Sequence, residues 1–112
     1  MSAGTYNLTI DQGTTFALDV TIKEDDVAKD LTGYSARAQL RTTKTASSVA
    51  ASFTCTIPTP ANGTVKMTLS PSTSSAMTAG MFFYDLEIYT SSDAIVKRII
   101  EGTAKLTQEV TR

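Results

Sequence analysis

The chain is poor in the groups that usually carry chemistry. Its 112 residues include no histidine and one cysteine, Cys55. The lack of histidine removes the commonest general base and the commonest metal ligand. A lone thiol excludes an intramolecular disulfide, so stability must come from the core or from neighbouring subunits. Charge is also scarce: charged residues are 19% of the chain and the net charge is −1. The basic residues are scattered, with no run longer than Lys97-Arg98. Such a chain has no long-range field to attract nucleic acid or an anionic membrane, and neither is expected as a partner. No apolar run is long enough to span a bilayer. Met1-Ser2-Ala3-Gly4 lacks a basic segment followed by an apolar one, so no signal peptide is expected and synthesis is expected in the cytoplasm.

Leucine, lysine and glutamate are sparse, whereas threonine and serine abound. The branched Cβ of threonine suits a half-buried pleated surface, so the composition favours β structure before any pattern is read. The length fits one domain, residues 1–112, around one continuous core.

Alternation of apolar and polar residues marks the strands. Tyr6, Leu8 and Ile10 predict a first strand that Asp11-Gln12-Gly13 ends. Phe16, Leu18, Val20 and Ile22 alternate with polar or small residues in the strongest strand signal of the chain. Glu24-Asp25-Asp26 reads as an acidic turn, with Val27 to Asp30 as the far side of a hairpin. Tyr34, Ala36, Ala38 and Leu40 alternate with Ser35, Arg37, Gln39 and Arg41, giving a strand with a wet outer face. Val49 to Ile57 repeats the pattern until Pro58 and Pro60 stop it. Asn62-Gly63 then signals a hairpin into Val65, Met67 and Leu69.

Ser70-Pro71 opens the only helix candidate, a turn or two ending at Gly80. Met81 to Tyr89 places Phe82, Tyr84, Leu86 and Ile88 on one face. In the last strand, Ile95 to Leu106, Val96 and Ile100 are read as inward, and a bulge is expected at Gly102. About seven short strands separated by turns predict an all-β, antiparallel Ig-like β-sandwich with one short helical turn, a closed barrel being the alternative.

The candidate chemical features each have a plainer explanation. Asp85 and Glu87 share a strand face, where a basic neighbour such as Lys97 or Arg98 would answer them. Glu24, Asp25 and Asp26 match no calcium loop. Cys55 lies with Phe53 and Ile57 on an apolar face and is read as a small hydrophobe. No catalytic, metal or cofactor-binding residue is assigned, and no enzyme activity is expected. Residues offered to a protein interface are Tyr6, Leu8, Tyr34, Arg37, Arg41, Tyr89, Val110 and Arg112, because β-prone termini and exposed tyrosines suit strand addition and partner contact.

Four blocks carry a resemblance. They are Tyr6-Asn7-Leu8-Thr9-Ile10-Asp11-Gln12-Gly13, Asp30-Leu31-Thr32-Gly33-Tyr34-Ser35-Ala36-Arg37, the run from Leu69-Ser70-Pro71 through Thr78 to Ile88, and Arg98 to Leu106 with Glu109-Val110-Thr111-Arg112. In these the chain resembles the small β-sandwich virion proteins of tailed bacteriophages. It is also similar to the N-terminal domain of phage upper baseplate proteins. The resemblance implies a non-enzymatic structural component of a virion, present as a homo-oligomer among other virion proteins at the tail, baseplate or fibre attachment. The alternatives are a capsid decoration protein on the head and a carbohydrate-binding module that uses the tyrosines.

Overall fold

The computed structural model describes residues 4–110. The chain order is β1 (Gly4–Thr5), β2 (Leu8–Asp11), β3 (Phe16–Thr21), β4 (Lys23–Glu24), β5 (Val27–Ala28), β6 (Ser35–Arg41), β7 (Ala51–Ser52), β8 (Thr54–Thr56), β9 (Thr64–Leu69), α1 (Pro71–Ser75), β10 (Gly80–Tyr89) and β11 (Val96–Thr107). A six-stranded sheet runs β1-β11-β10-β6-β7, with β2 also on β11. A three-stranded sheet runs β3-β9-β8, and β4-β5 form a separate hairpin.

The protein is mostly β, as the alternation predicts, but the large sheet is mixed where an antiparallel one is expected. Both N-terminal strands run parallel to β11, with Gly4 opposite Ile100 and Leu8 opposite Ala104. The register is the same on either side of Tyr6-Asn7, so β1 and β2 form one strand interrupted at those two residues. The Tyr6 N–H still donates to the Glu101 carbonyl at 3.0 Å, after which the backbone leaves the ladder and Asn7 Oδ1 accepts from the Thr103 N–H at 3.1 Å. The Tyr6 carbonyl moves over Gly102 and accepts a hydrogen bond from the Tyr84 hydroxyl. A Cβ at Gly102 would lie 2.4 Å from the Tyr6 carbonyl oxygen and 2.8 Å from Asn7 Oδ1. Glycine is required here for space, since β11 must let a neighbouring backbone come close.

The bulge in β11 is at Ile99, not Gly102. Leu86 pairs with Ile100 and Glu87 with Arg98, leaving Ile99 as the extra residue, while Gly102 stays in register with Tyr84. One added residue reverses the facing of everything before it. Val96 therefore stands opposite Tyr89 on the outer face and is 42% exposed, which corrects its inward assignment.

The apolar run from Val49 to Ile57 is two strands rather than one. β7 pairs with β6 in the large sheet, whereas β8 pairs with β9 in the small one. The chain passes between sheets at Phe53, whose N–H donates to the Ala38 carbonyl at 3.0 Å. Its ring is buried between Phe16 of the small sheet and Tyr84 of the large one, at centroid distances of 5.9 and 6.3 Å. Leu40, Leu86 and Ile88 from the large sheet and Val65, Met67 and Leu69 from the small sheet join the same core. Each is worth about 1.5–3 kcal/mol of burial.

Helix α1 starts as expected, with the Ser70 side chain accepting from the Thr73 N–H and Pro71 in the first turn. It ends at Ser75, with Ala76 as its C-cap, and Gly80 opens β10 instead of closing the helix. The acidic turn is the tip of the β4-β5 hairpin, with Asp25 and Asp26 at φ values of 50° and 64°. Two successive positive φ angles define the turn that suits a right-twisted hairpin, and aspartate tolerates them better than most residues.

Replacing Gly102 by alanine is expected to cost about 2–4 kcal/mol in urea denaturation, since the added carbon meets backbone on a neighbouring strand. Gly4→Ala is the control. Its Cβ would meet nothing closer than Ile100 Cγ2 at 3.8 Å, and stability should change by no more than about 0.5 kcal/mol.

Candidate functional site

The outer face of the large sheet carries the densest group of charged side chains. Period two on β6 points Arg37, Gln39 and Arg41 outward, and on β10 it points Phe83, Asp85, Glu87 and Tyr89 to the same side. The Ile99 bulge brings Arg98 opposite Glu87, and Glu101 stands opposite Asp85. Gln39, Arg41, Asp85, Glu87, Arg98 and Glu101, with Lys44 from the loop after β6, line a shallow cleft of about 300 Å³.

The charges alternate across the strands. Arg37 Nε donates to Glu87 Oε1 at 2.9 Å, and Arg37 Nη1 reaches Asp93 Oδ1 at 3.4 Å. Arg98 Nε lies 3.4 Å from Asp85 Oδ2, and Arg98 Nη1 lies 3.7 Å from Glu101 Oε1. The Arg37 guanidinium covers the Tyr89 ring at 4.4 Å. Arg41 donates to the Ala46 carbonyl at 2.8 Å and to Gln39 Oε1 at 3.0 Å, which ties the loop after β6 to the sheet.

Asp85 occupies the middle of this face. Burial, together with the carboxylates of Glu87 and Glu101, pushes its carboxyl above the ordinary range, while Arg98 and Arg41 draw it back. Half-exposed ion pairs add little stability on their own. They do give a patterned surface of donors and acceptors against which a protein partner can be registered.

Of the residues proposed from sequence, the fold brings Arg37, Arg41 and Tyr89 together on this face. Tyr34 lies just before β6, with Lys29 Nζ 5.3 Å from its ring centroid. Tyr6 is 52% exposed beside β11, and Val110 is 90% exposed beyond its end. Leu8 is buried in the core, so its side chain offers no surface to a partner. Arg112 lies outside the described residues. Arg98 answers Asp85 as read, but Lys97 instead points toward Glu24, at 3.9 Å. Glu101 and Lys44 were not found from sequence, because alternation along one strand does not reveal what stands opposite.

The Asp11-Gln12-Gly13 block is a fastening point. The Gln12 side chain donates to the Met77 carbonyl at 2.8 Å and accepts from the Glu109 N–H at 2.9 Å. The Gly13 N–H donates to the hydroxyl of buried Ser74 at 2.9 Å. One short turn thus joins the first strands, the segment around α1 and the C-terminal segment. Cys55 is half-buried, and burial pushes its thiol up to about 11, so it stays protonated near neutral pH. Among the described residues, no group of three or more Cys, Asp or Glu side chains is arranged to hold a metal ion. Comparison with family models and with curated proteins finds no match to this chain.

Burial pushes the Tyr84 phenol from 10.0 up to about 12. As pH rises, the unfolded chain loses this proton first. The contribution to stability is therefore complete below about pH 10 and is lost as pH approaches about 12. A spectrophotometric titration of tyrosinate should show one phenol ionising late. Tyr84→Phe should remove that late step and leave the Tyr6 carbonyl without its donor, at a cost of about 1–2 kcal/mol.

Proposed function

We propose that the chain is a non-enzymatic structural protein of a tailed-bacteriophage virion, assembling through protein–protein contacts at the tail, baseplate or fibre attachment. In this reading the two sheets form the layers of an Ig-like sandwich. The observation that carries the proposal is where the resembling blocks fall. Tyr6 to Gly13, Gly80 to Ile88 and Arg98 to Leu106 fall on β2, β10 and β11 of one sheet, with β11 between the other two. The residues that carry the resemblance are thus the ones that join the two ends of the chain and support the charged outer face. That face carries paired arginine and carboxylate groups beside half-exposed aromatics, a pattern of charge by which a partner can be registered.

The sugar-binding alternative needs an open aromatic platform, but Arg37 covers Tyr89 and Lys29 stands over Tyr34. Location in the particle is the test. Mass spectrometry of purified virions should detect the chain, and electron microscopy with the chain labelled should place it on the tail at a low copy number set by the tail's rotational symmetry. Absence from the particle would overturn the proposal. Hundreds of copies over the head would replace it with the decoration-protein alternative.

A further inference from the structure

The small sheet has an open edge along β3. Among the described residues, β3 pairs on one side only, with β9, and no strand pairs with its other side. The Ile22 N–H donates to the Gly63 carbonyl, which identifies the even-numbered residues of β3 as those bonded to β9. Ile22 also accepts from the Lys29 N–H, so the β4-β5 hairpin continues on the β9 side. The backbone groups of Ala17, Asp19, Thr21 and Lys23 consequently point outward, along an edge with no proline and no register shift.

Natural edges of this kind are normally blunted by bulges, prolines, covering segments or charged side chains, and of these the run from Phe16 to Lys23 carries only Asp19 and Lys23. This edge instead looks incomplete. Phe16, Leu18 and Val20 face the core but are only half-buried, whereas Val65, Met67 and Leu69 opposite them on β9 are fully buried. A further strand alongside β3 would cover them.

We propose that this edge pairs with the same edge of a second copy of the chain, antiparallel about a two-fold axis at Thr21. Charge selects the occupant and the register. Only alternate residues have free backbone groups, so Ala17, Asp19, Thr21 and Lys23 must face one another. An axis at Asp19 would oppose two aspartates. An axis at Thr21 sets Asp19 of each copy opposite Lys23 of the other, giving two reciprocal cross-strand pairs on the exposed outer face. Each facing pair exchanges two backbone hydrogen bonds, and the sheet becomes continuous across both copies. The proposal rests on the reading of the chain as an assembly protein and names one of its partners.

Sedimentation equilibrium of the purified full chain tests it. The expected result is a reversible dimer. Asp19→Lys and Lys23→Asp should each weaken it by about tenfold or more, because each sets like charges opposite twice. The double variant D19K/K23D should restore association, since the reciprocal pairs re-form with signs exchanged. Thr21→Pro, which removes an outward N–H, should abolish the dimer while the chain keeps its β-sheet circular dichroism as a folded monomer. A monomer at every concentration, or a dimer indifferent to the charge variants, would overturn the proposal. Neither result bears on the particle assay, which alone decides whether the chain is a virion protein.

Discussion

The close approach of the Tyr6 carbonyl to Gly102 is the contact on which the large sheet depends. β11 has β10 antiparallel on one flank and the interrupted N-terminal strand parallel on the other. The interruption puts a carbonyl where a ladder bond would be lost, and the Tyr84 hydroxyl supplies the missing donor. Any side chain at position 102 would hold the two strands apart. Asn7 and Thr103, bonded at 3.1 Å, are 96 residues apart in sequence, so closing the sheet draws together nearly the whole chain. The entropy of that closure must be offset by the core the contact completes, in which Leu8 and Ile10 are buried.

Once both ends are held by one sheet, the interior has little left to do except pack. Tyr84 and the cysteine are consistent with that role: burial raises the Tyr84 and Cys55 pKa values and so keeps both groups neutral. Chemistry that distinguishes one region from another lies outside, in the arginine and carboxylate rows on β6, β10 and β11 and along the free margin of β3. The first can register a partner by charge, and the second can extend a sheet by backbone bonds. The two surfaces belong to different sheets, so one copy can use both at once in an assembly.

Much of this was legible in the residues. Unbroken alternation located β3, β6 and β10, because a pleated strand with one wet face leaves no other economical pattern. Ser70-Pro71 announced α1, since a serine cap followed by proline satisfies the first turn locally. The parallel pairing of β2 with β11 was not legible: period two fixes which face a side chain takes but not which strand lies beside it. The passage from β7 to β8 was hidden for a related reason, since the pattern runs through Phe53 without a break while its hydrogen-bond partners change. The Ile99 bulge escaped because Ile99 and Ile100 are equally apolar, so one inserted residue leaves the hydrophobic pattern intact. In the candidate site, Arg37 and Arg41 could be placed on one face by spacing alone. The Asp85–Glu101 opposition depends on pairing across strands and so required the fold.

Native-state hydrogen exchange tests the central claim most directly. The Tyr6 and Gln12 amides donate to the Glu101 and Thr107 carbonyls, the first at the interruption of the N-terminal strand and the second just past its end. If that strand closes the sheet as described, both amides exchange only through the same cooperative opening that frees β10, with protection within roughly tenfold of its slowest amides. Exchange of Tyr6 and Gln12 about a thousandfold faster than β10 would show that the N-terminal strand opens by itself, and would contradict the account.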